Sequence, residues 1–163
     1  MTDYSPLRKR DTSNITNMRT AFQDNFSLKT LSGIEKWDTS SVETMHGMFF
    51  VSKELIDMGK KGKLSDLSAL KDWNTSNVKV MTGMFQALQI ENLESLKSWD
   101  VSKVETFECM FSACTNLSDA SAINDWNISN NANFHAMFSK APSHPEFSKI
   151  DGTWGDANTF IPN

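Results

Sequence analysis

The sequence predicts an α/β solenoid of about five stacked coils, each built from a helix and a short strand, with the strands forming a narrow parallel sheet. Two observations predict this fold class. One line of residues recurs five times at intervals of 26 to 36 residues. Each copy also divides into a first half with helical periodicity and a second half with an apolar residue at every third position. A recurrence of this length is typical of repeat architectures in which each unit contacts only its neighbours.

The repeated line is clearest in WDTSSVETMHGMFF at 37–50, WNTSNVKVMTGMFQ at 73–86 and WDVSKVETFECMFS at 99–112. Alignment on the Asp or Asn before the Ser gives five copies, which begin at Asp11, Asp38, Asn74, Asp100 and Asn127. Trp closes each copy, at Trp37, Trp73, Trp99, Trp126 and Trp154. These boundaries predict a single repeat domain over 1–163, with an N-terminal cap over 1–10, repeats over 11–37, 38–73, 74–99, 100–126 and 127–154, and a C-terminal tail over 155–163.

The first half of each copy predicts a helix of about ten residues. In the second copy, Val42, Met45, Met48 and Phe49 fall on one helical face. Ser40 stands where an N-cap belongs, and a Glu three residues later completes a capping box. We therefore expect helices near 14–23, 41–51, 77–87, 103–113 and 130–139, with the repeated Val, Met and Phe residues in the core.

The second half of each copy has a spacing of three between apolar residues, as in Leu28, Leu31, Ile34 and Trp37. This spacing suits neither a long helix nor a long strand. It predicts a bent connection that ends in a short strand near the Trp. Strands of successive copies would then pair about 4.8 Å apart.

Composition and charge limit the classes of function. The chain of 163 residues is 39% hydrophobic and 22% charged, with a net charge of −4, which gives no support for nucleic-acid binding. No apolar run is long enough for a membrane span. The opening MTDYSPLRKRDTSN has no apolar signal region, so the chain as written is expected in the cytoplasm, or at the cell surface if a leader has been removed.

No set of residues with catalytic or metal-binding spacing stands out. Cys109 and Cys114 are expected to be free thiols, and the three histidines His46, His135 and His144 do not converge. We expect no catalytic residues, no cofactor and no metal, and hence no enzyme. The recurring Asp or Asn at the start of each copy has two readings. It could form a row of cation sites, but turn chemistry is favoured because Asn dilutes the charge.

The stretches WDTSSVETMHGMF and WDVSKVETFECMFSACTNL resemble the repeat of the BspA-like leucine-rich-repeat surface proteins, a family common in Mycoplasma lipoproteins. The resemblance covers about residues 11–154. It implies a right-handed, leucine-rich-repeat-like solenoid that serves adhesion or protein binding, usually outside the cell and without enzymatic activity. The fifth copy departs from the pattern, with Asn131 in the Val position and Phe134 in a Met position.

Residues that repetition does not explain are the candidates for partner binding. The second copy carries an insertion at about 53–64, and repeat insertions often form the binding face. An aromatic residue follows the core Phe49 in an otherwise polar column, and a basic run precedes the first copy. The candidates are Phe50, Leu55, Ile56, Met58, Lys60, Lys61, Lys63, His46, Tyr4, Arg8 and Arg10. The structural alternatives are a solvated loop for the insertion, packing beneath it for Phe50, an ordinary surface position for His46 and a capping role for the N-terminal residues.

The function expected from the sequence is non-enzymatic binding of another protein. The favoured form is an intracellular inhibitor or adaptor that acts through its repeat surface and the 53–64 insertion. The alternative is an extracellular adhesion module of a bacterial surface protein that lacks its leader. The partner is another protein, no membrane or nucleic-acid partner is expected, and the chain is expected to be monomeric on its own.

Overall fold

The structure, a computed structural model, describes residues 5–163. Regular elements are short. Helix α1 spans Lys53–Asp57, and strands β1 (Gly152–Gly155) and β2 (Thr159–Pro162) form an antiparallel hairpin in which Trp154 pairs with Phe160. Single turns of 3₁₀ helix occur at Ser5–Lys9, Ser68–Leu70, Glu94–Leu96, Ser121–Ile123 and Asp156–Asn158.

The predicted fold class, a right-handed leucine-rich-repeat-like solenoid of helix-plus-strand coils with a parallel sheet, is wrong. Within residues 5–163 the single α-helix is α1, which lies in the insertion, and the single sheet is the antiparallel β1–β2 hairpin. The stretches predicted as helices are instead successions of tight turns, at 14–23, 41–51, 77–87, 103–113 and 130–139. The short strand expected near each Trp is absent from the first four copies.

The acceptors to which the backbone N–H groups donate explain why these turns are not helices. Met45 N donates to Val80 O (2.9 Å), Gly47 N to Thr82 O (2.8 Å) and Phe49 N to Met84 O (3.0 Å), all in the following copy. An N–H group that donates to a neighbouring copy cannot also close an α-helical turn within its own. Isolated parallel bridges join the copies at the same level: Asn17 to Thr44, Thr44 to Val80, Val80 to Thr106 and Thr106 to Asn133.

The predicted capping box is also wrong, because Ser40 is not the cap of a helix. Asp38 Oδ1 accepts hydrogen bonds from Ser40 N (3.0 Å) and from Ser40 Oγ (2.6 Å). The same pair of bonds recurs at Asp11–Ser13, Asn74–Ser76 and Asp100–Ser102. The hydroxyl and amide of Ser40 lower the pKa of Asp38. The recurring Asp or Asn is therefore a turn-forming acceptor in these four copies.

A left-handed backbone conformation recurs at the tenth residue of every copy. The residues there have φ between 51° and 59°, and they are Thr20, Gly47, Gly83, Cys109 and Ala136. Glycine is favoured at such a position because it has no Cβ to clash. Glycine occupies this position in only two copies. The other three copies have a residue with a Cβ in the left-handed conformation, which is unfavourable.

The core consists of the residues that recur. Val42, Met45 and Met48 are fully buried, as are their counterparts in the third copy. One Phe from each copy stacks on the next, with ring centroids separated by 5.5, 5.8, 5.6 and 5.0 Å along the series Phe22, Phe49, Phe85, Phe111 and Phe138. The prediction that these apolar residues form the core is confirmed, although the backbone that carries them is not helical.

Each end of the series of copies is covered differently. At the N-terminal end, the carbonyl oxygen of Leu7 accepts a hydrogen bond of 3.1 Å from Trp37 Nε1, and Leu7 packs against the core. At the C-terminal end, the β1–β2 hairpin places Trp154 edge-on to Phe138, with ring centroids 5.5 Å apart. Phe160 of β2 packs in the same way against Phe134, at 5.4 Å.

Candidate protein-interaction surface

The insertion in the second copy begins with a fixed anchor. The backbone N–H of Ser52 donates to Asp24 Oδ1 (2.6 Å) in the first copy, and α1 follows immediately. The helix ends in a Schellman motif, in which Lys60 N donates to Leu55 O (2.8 Å) and Gly59 N to Ile56 O (2.9 Å). Both ends of this short helix are therefore held by hydrogen bonds.

The insertion returns to the core at Gly62 and Leu64. Gly62 N donates to Ala87 O (3.2 Å), and Leu64 is buried. A Cβ at Gly62 would lie 2.5 Å from Leu88 Cδ2 and 3.1 Å from Val51 Cγ2, so any larger residue there would clash. The base of the insertion is thus packed tightly against the third copy.

The apolar residues of the insertion divide into anchors and an exposed tip. Leu55 and Ile56 are half-buried and pack against the core, which makes them structural. Met58 is 71% exposed, the largest value among the exposed large hydrophobic residues of 5–163. Of these three predicted binding residues, only Met58 is exposed.

Lysines surround a shallow depression next to this tip. The depression has a volume of about 370 Å³, and it is lined by Phe26, Gly59, Lys60, Lys61, Gly62, Lys63 and Gln89. Lys60 Nζ lies 5.8 Å from the ring centroid of Phe26, which is 36% exposed, and Lys61 Nζ donates to Thr115 Oγ1 (3.3 Å). We name the surface formed by Phe26, Met58, Lys60, Lys61 and Lys63 the insertion patch.

The charge of the insertion patch is uncompensated. In the described part of the chain, the ion pairs are Arg8–Glu35, Lys53–Asp57, Lys79–Glu43 and His144–Glu146. None of them includes a lysine of the patch. Three ammonium groups therefore lie beside two exposed apolar side chains on a protein whose net charge is −4.

Gln89 borders the depression with an unsatisfied donor. Its Oε1 accepts from Asn116 Nδ2 (3.2 Å), while its Nε2 is buried without a hydrogen-bond partner. Leaving a buried donor unpaired costs about 1–3 kcal/mol. Gln89 thus leaves one buried amide donor without an acceptor beside the depression.

Phe50 and His46 lie on the turns of the second copy just before the insertion. Phe50 is half-buried, and its carbonyl oxygen accepts from Asp24 N (2.8 Å). Burial and the nearby Arg19 lower the pKa of His46, against an opposing effect of Glu108. Neither residue belongs to the insertion patch.

The N-terminal candidates have separate positions. Tyr4 lies outside the described residues. Arg8 forms an ion pair of 3.1 Å with Glu35, which ties the first residues of the described chain to the first copy. Arg10 is exposed, and its N–H donates to Leu7 O (3.0 Å). Within residues 5–163, neither arginine forms a hydrogen bond or an ion pair with a residue of the insertion patch.

Sequence reasoning missed Phe26 and Gln89. Phe26 follows the start of its copy by fifteen residues, in a column that Gln89 and Thr115 occupy in later copies. An aromatic residue in a polar column is the same signal that singled out Phe50, and it would have identified Phe26 as well. Nothing local in the sequence marks the unpaired amide of Gln89, because its environment depends on how the insertion packs.

Other chemistry has weak support in residues 5–163. No group of three or more His, Cys, Asp or Glu side chains there is arranged to hold a metal ion. Burial raises the pKa of the Cys114 thiol to about 12, and its Sγ donates to Phe85 O (3.1 Å). Burial also raises the pKa of Cys109. Both thiols are therefore poor nucleophiles at neutral pH. Among the helices described, none has the length and apolar character needed to cross a membrane.

Comparison with known proteins gives one family. The family model described as "Mycoplasma protein of unknown function, DUF285" matches residues 1–58 and again residues 58–154. The two matches meet at Met58, the exposed tip of the insertion. No curated protein and no solved structure matches the chain.

Proposed function

Because the chain belongs to the Mycoplasma DUF285 family, a repeat family related to the BspA-like surface proteins, we propose that it is a non-enzymatic binding protein for another polypeptide. The insertion patch is the binding surface. Its ligand is a segment of the partner that combines carboxylate side chains with an apolar residue. The observation that carries this proposal is the group of lysines without carboxylate partners beside the exposed Met58 and Phe26.

The chemistry of the patch supports an acidic partner. Carboxylates would pair with Lys60, Lys61 and Lys63, and such pairs mainly speed association and select the partner. An apolar side chain set against Met58 and Phe26 would supply buried area, and methionine adapts readily to different partner shapes. The anchors at Ser52 and Gly62 hold the patch in place, so little ordering is needed on binding.

The family match favours one setting for this activity. Its relation to bacterial surface proteins supports a role in adhesion, in which the acidic polypeptide belongs to another cell or to the host. The alternative is an inhibitor or adaptor that binds a protein of its own cell. The two functions use the insertion patch in the same way. They differ in whether the partner belongs to another cell or to the cell that makes this protein.

A site-specific crosslinking experiment tests the proposal. A photoreactive amino acid replaces Met58 in the full chain, and the matched control carries it at Asp72, an exposed residue outside the patch. After exposure to extracts and surface fractions of the source and host cells, we expect a discrete crosslinked protein at position 58. Combining the Met58 probe with Lys60→Glu, Lys61→Glu and Lys63→Glu should abolish that product.

Two results would contradict the proposal. Equal crosslinking at positions 58 and 72 would show that contact with the patch is not selective. Persistence of the crosslinked product after the three Lys→Glu substitutions would show that the partner does not recognise the charge of these lysines. Circular dichroism of the charge-reversed chain controls for folding, since exposed lysines contribute little to stability.

A further inference from the structure

We infer that the first copy presents an open backbone edge which binds an extended segment of another polypeptide carrying the same repeat line. The first-copy edge consists of the N–H groups of Thr16 and Asn17 and the carbonyl groups of Asn17, Arg19, Ala21 and Gln23. Within residues 5–163, no hydrogen bond reaches any of these groups. This inference does not depend on the insertion patch, and different residues carry it.

The bonds between internal copies define what such an edge requires. The N–H groups of Met18, Thr20, Phe22 and Asp24 donate to the carbonyl oxygens of Thr44, His46, Met48 and Phe50 at 2.8 to 2.9 Å. In the reverse direction, Glu43 N and Thr44 N donate to Thr16 O. The same pattern joins the second copy to the third. The first-copy edge is the half of this pattern for which the described chain contains no partner.

A side chain on the same edge is exposed where its counterparts are buried. Ile15 occupies the Val position of the repeat and is 36% exposed, whereas Val42, Val78 and Val104 are at most 1% exposed. An exposed apolar side chain thus lies directly before the unpaired N–H groups of Thr16 and Asn17 in the sequence. Unpaired edges of this kind are templates for strand-like addition of another chain.

The opposite end of the molecule is closed by its own hairpin. Ala136 N donates to Thr159 Oγ1 (2.8 Å), and Phe138 N donates to Asn158 O (3.3 Å). They are two of the four N–H groups of the fifth copy that would otherwise donate to a following copy. A second copy of this chain therefore cannot supply these two donors to the first-copy edge while its hairpin stays in place, which favours a different polypeptide as the partner.

The hydrogen bonds between internal copies also indicate which groups the partner segment must carry. It needs a carbonyl group opposite Thr16 and Asn17, followed by N–H groups at alternate residues opposite the four carbonyls. It also needs a residue that tolerates a left-handed conformation, as Gly47 does with φ of 56°. The stretch at 38–52 of this chain meets all these requirements and serves as a defined probe.

A fluorescent peptide with the sequence of residues 38–52 is titrated against the full chain, and binding is followed by fluorescence anisotropy. We expect saturable binding. N-methylation of the peptide amides equivalent to Met45, Gly47 and Phe49 removes three of the four donors to the edge and should weaken binding by about tenfold or more. N-methylation at the amide equivalent to Ser41, which makes no inter-copy bond, is the matched control and should leave binding largely intact.

Variants of the full chain locate the site. Ile15→Lys should weaken peptide binding, while Ile161→Lys, at an exposed position on the hairpin at the other end, should not. Absence of binding by the unmodified peptide would overturn the inference. Equal binding by the donor-methylated peptide, or an equal loss in the two lysine variants, would overturn it as well.

Discussion

The indole Nε1 of Trp99 donates a hydrogen bond of 2.9 Å to the carbonyl oxygen of Leu70, which lies in the preceding copy. Trp73 and Trp126 make the equivalent bonds to Ile34 O (3.1 Å) and Leu96 O (3.0 Å). All three tryptophans are buried. The closing Trp of an internal copy is thus both core and connector, because its indole adds a second hydrogen bond to a carbonyl oxygen that already accepts the backbone N–H of the preceding copy's Trp.

Trp99→Phe should lower the free energy of unfolding by about 1–3 kcal/mol, because it removes the hydrogen bond between the two copies and leaves a gap where the larger buried ring was. Urea unfolding followed by circular dichroism measures the loss. Trp37→Phe is the matched control, since Trp37 is half-buried and its acceptor is Leu7 near the N-terminal end. An equal loss in the two variants would contradict the connector role of Trp99.

The left-handed residue in each copy predicts opposite effects of two substitutions. Gly83→Ala should destabilise the protein by about 1 kcal/mol, because φ is 59° and an added Cβ meets only Gln86 Oε1 at 3.4 Å, so the cost lies in the backbone. Ala136→Gly, with φ of 51°, should instead be neutral or stabilising. Thermal unfolding of both variants checks the pair, and destabilisation by Ala136→Gly would count against backbone strain.

Asp100 should contribute to the loss of stability in acid. The hydroxyl and amide of Ser102 lower its pKa from 3.8, so its stabilising effect is present above that value and is lost as the pH falls through the lowered pKa. Asp100→Asn keeps the acceptor, as Asn74 does in its own copy, and should make the fall in Tm below about pH 4 shallower.

Asp100→Ala provides the comparison, because it removes the acceptor and should lower Tm at pH 7 as well as in acid. Differential scanning calorimetry from pH 7 to pH 3 separates the two variants. If Asp100→Asn reproduced the acid profile of the natural chain, this carboxylate would not be a source of the pH dependence.

The base and tip of the insertion should differ in their sensitivity to substitution. Gly62→Ala should lower the free energy of unfolding by about 1–3 kcal/mol, because the new Cβ would overlap Leu88. Met58→Ser, at the exposed tip, should change it by less than about 0.5 kcal/mol. Chemical denaturation of the two variants checks this, and a large effect of Met58→Ser would show that the tip is structural.

The buried positions were predictable, but the backbone path was not. The spacing of Val42, Met45, Met48 and Phe49 fits a helical face, and all four residues are indeed buried. The same spacing also suits a series of turns that directs these side chains inward. Periodicity reports which residues face the core, and it does not report where the backbone N–H groups donate.

The candidate site was predictable to a similar degree. Departure from the repeat identified the insertion, and Met58, Lys60, Lys61 and Lys63 are exposed there. Leu55 and Ile56 belong to the same stretch, but they pack inward. Which side of α1 contacts the core depends on the anchors at Asp24 and Leu88, which come from other copies and cannot be seen in the local sequence.

The sequence by itself determined the five recurring lines and most of the core, because the repeated apolar side chains pack against neighbouring copies. Tertiary structure decided that the copies are built from turns and not helices. A backbone N–H group can donate either within its own copy or to the next copy. Where the copies pair, at Thr44, Val80 and Thr106, alternate N–H groups donate to the next copy. Tertiary structure also decided that the lysines of the insertion patch lack carboxylate partners and that, within residues 5–163, the backbone groups of the first-copy edge lack hydrogen bonds. Both sets of groups can be identified only from the packing of all the copies, because their lack of partners depends on residues that are distant in the sequence.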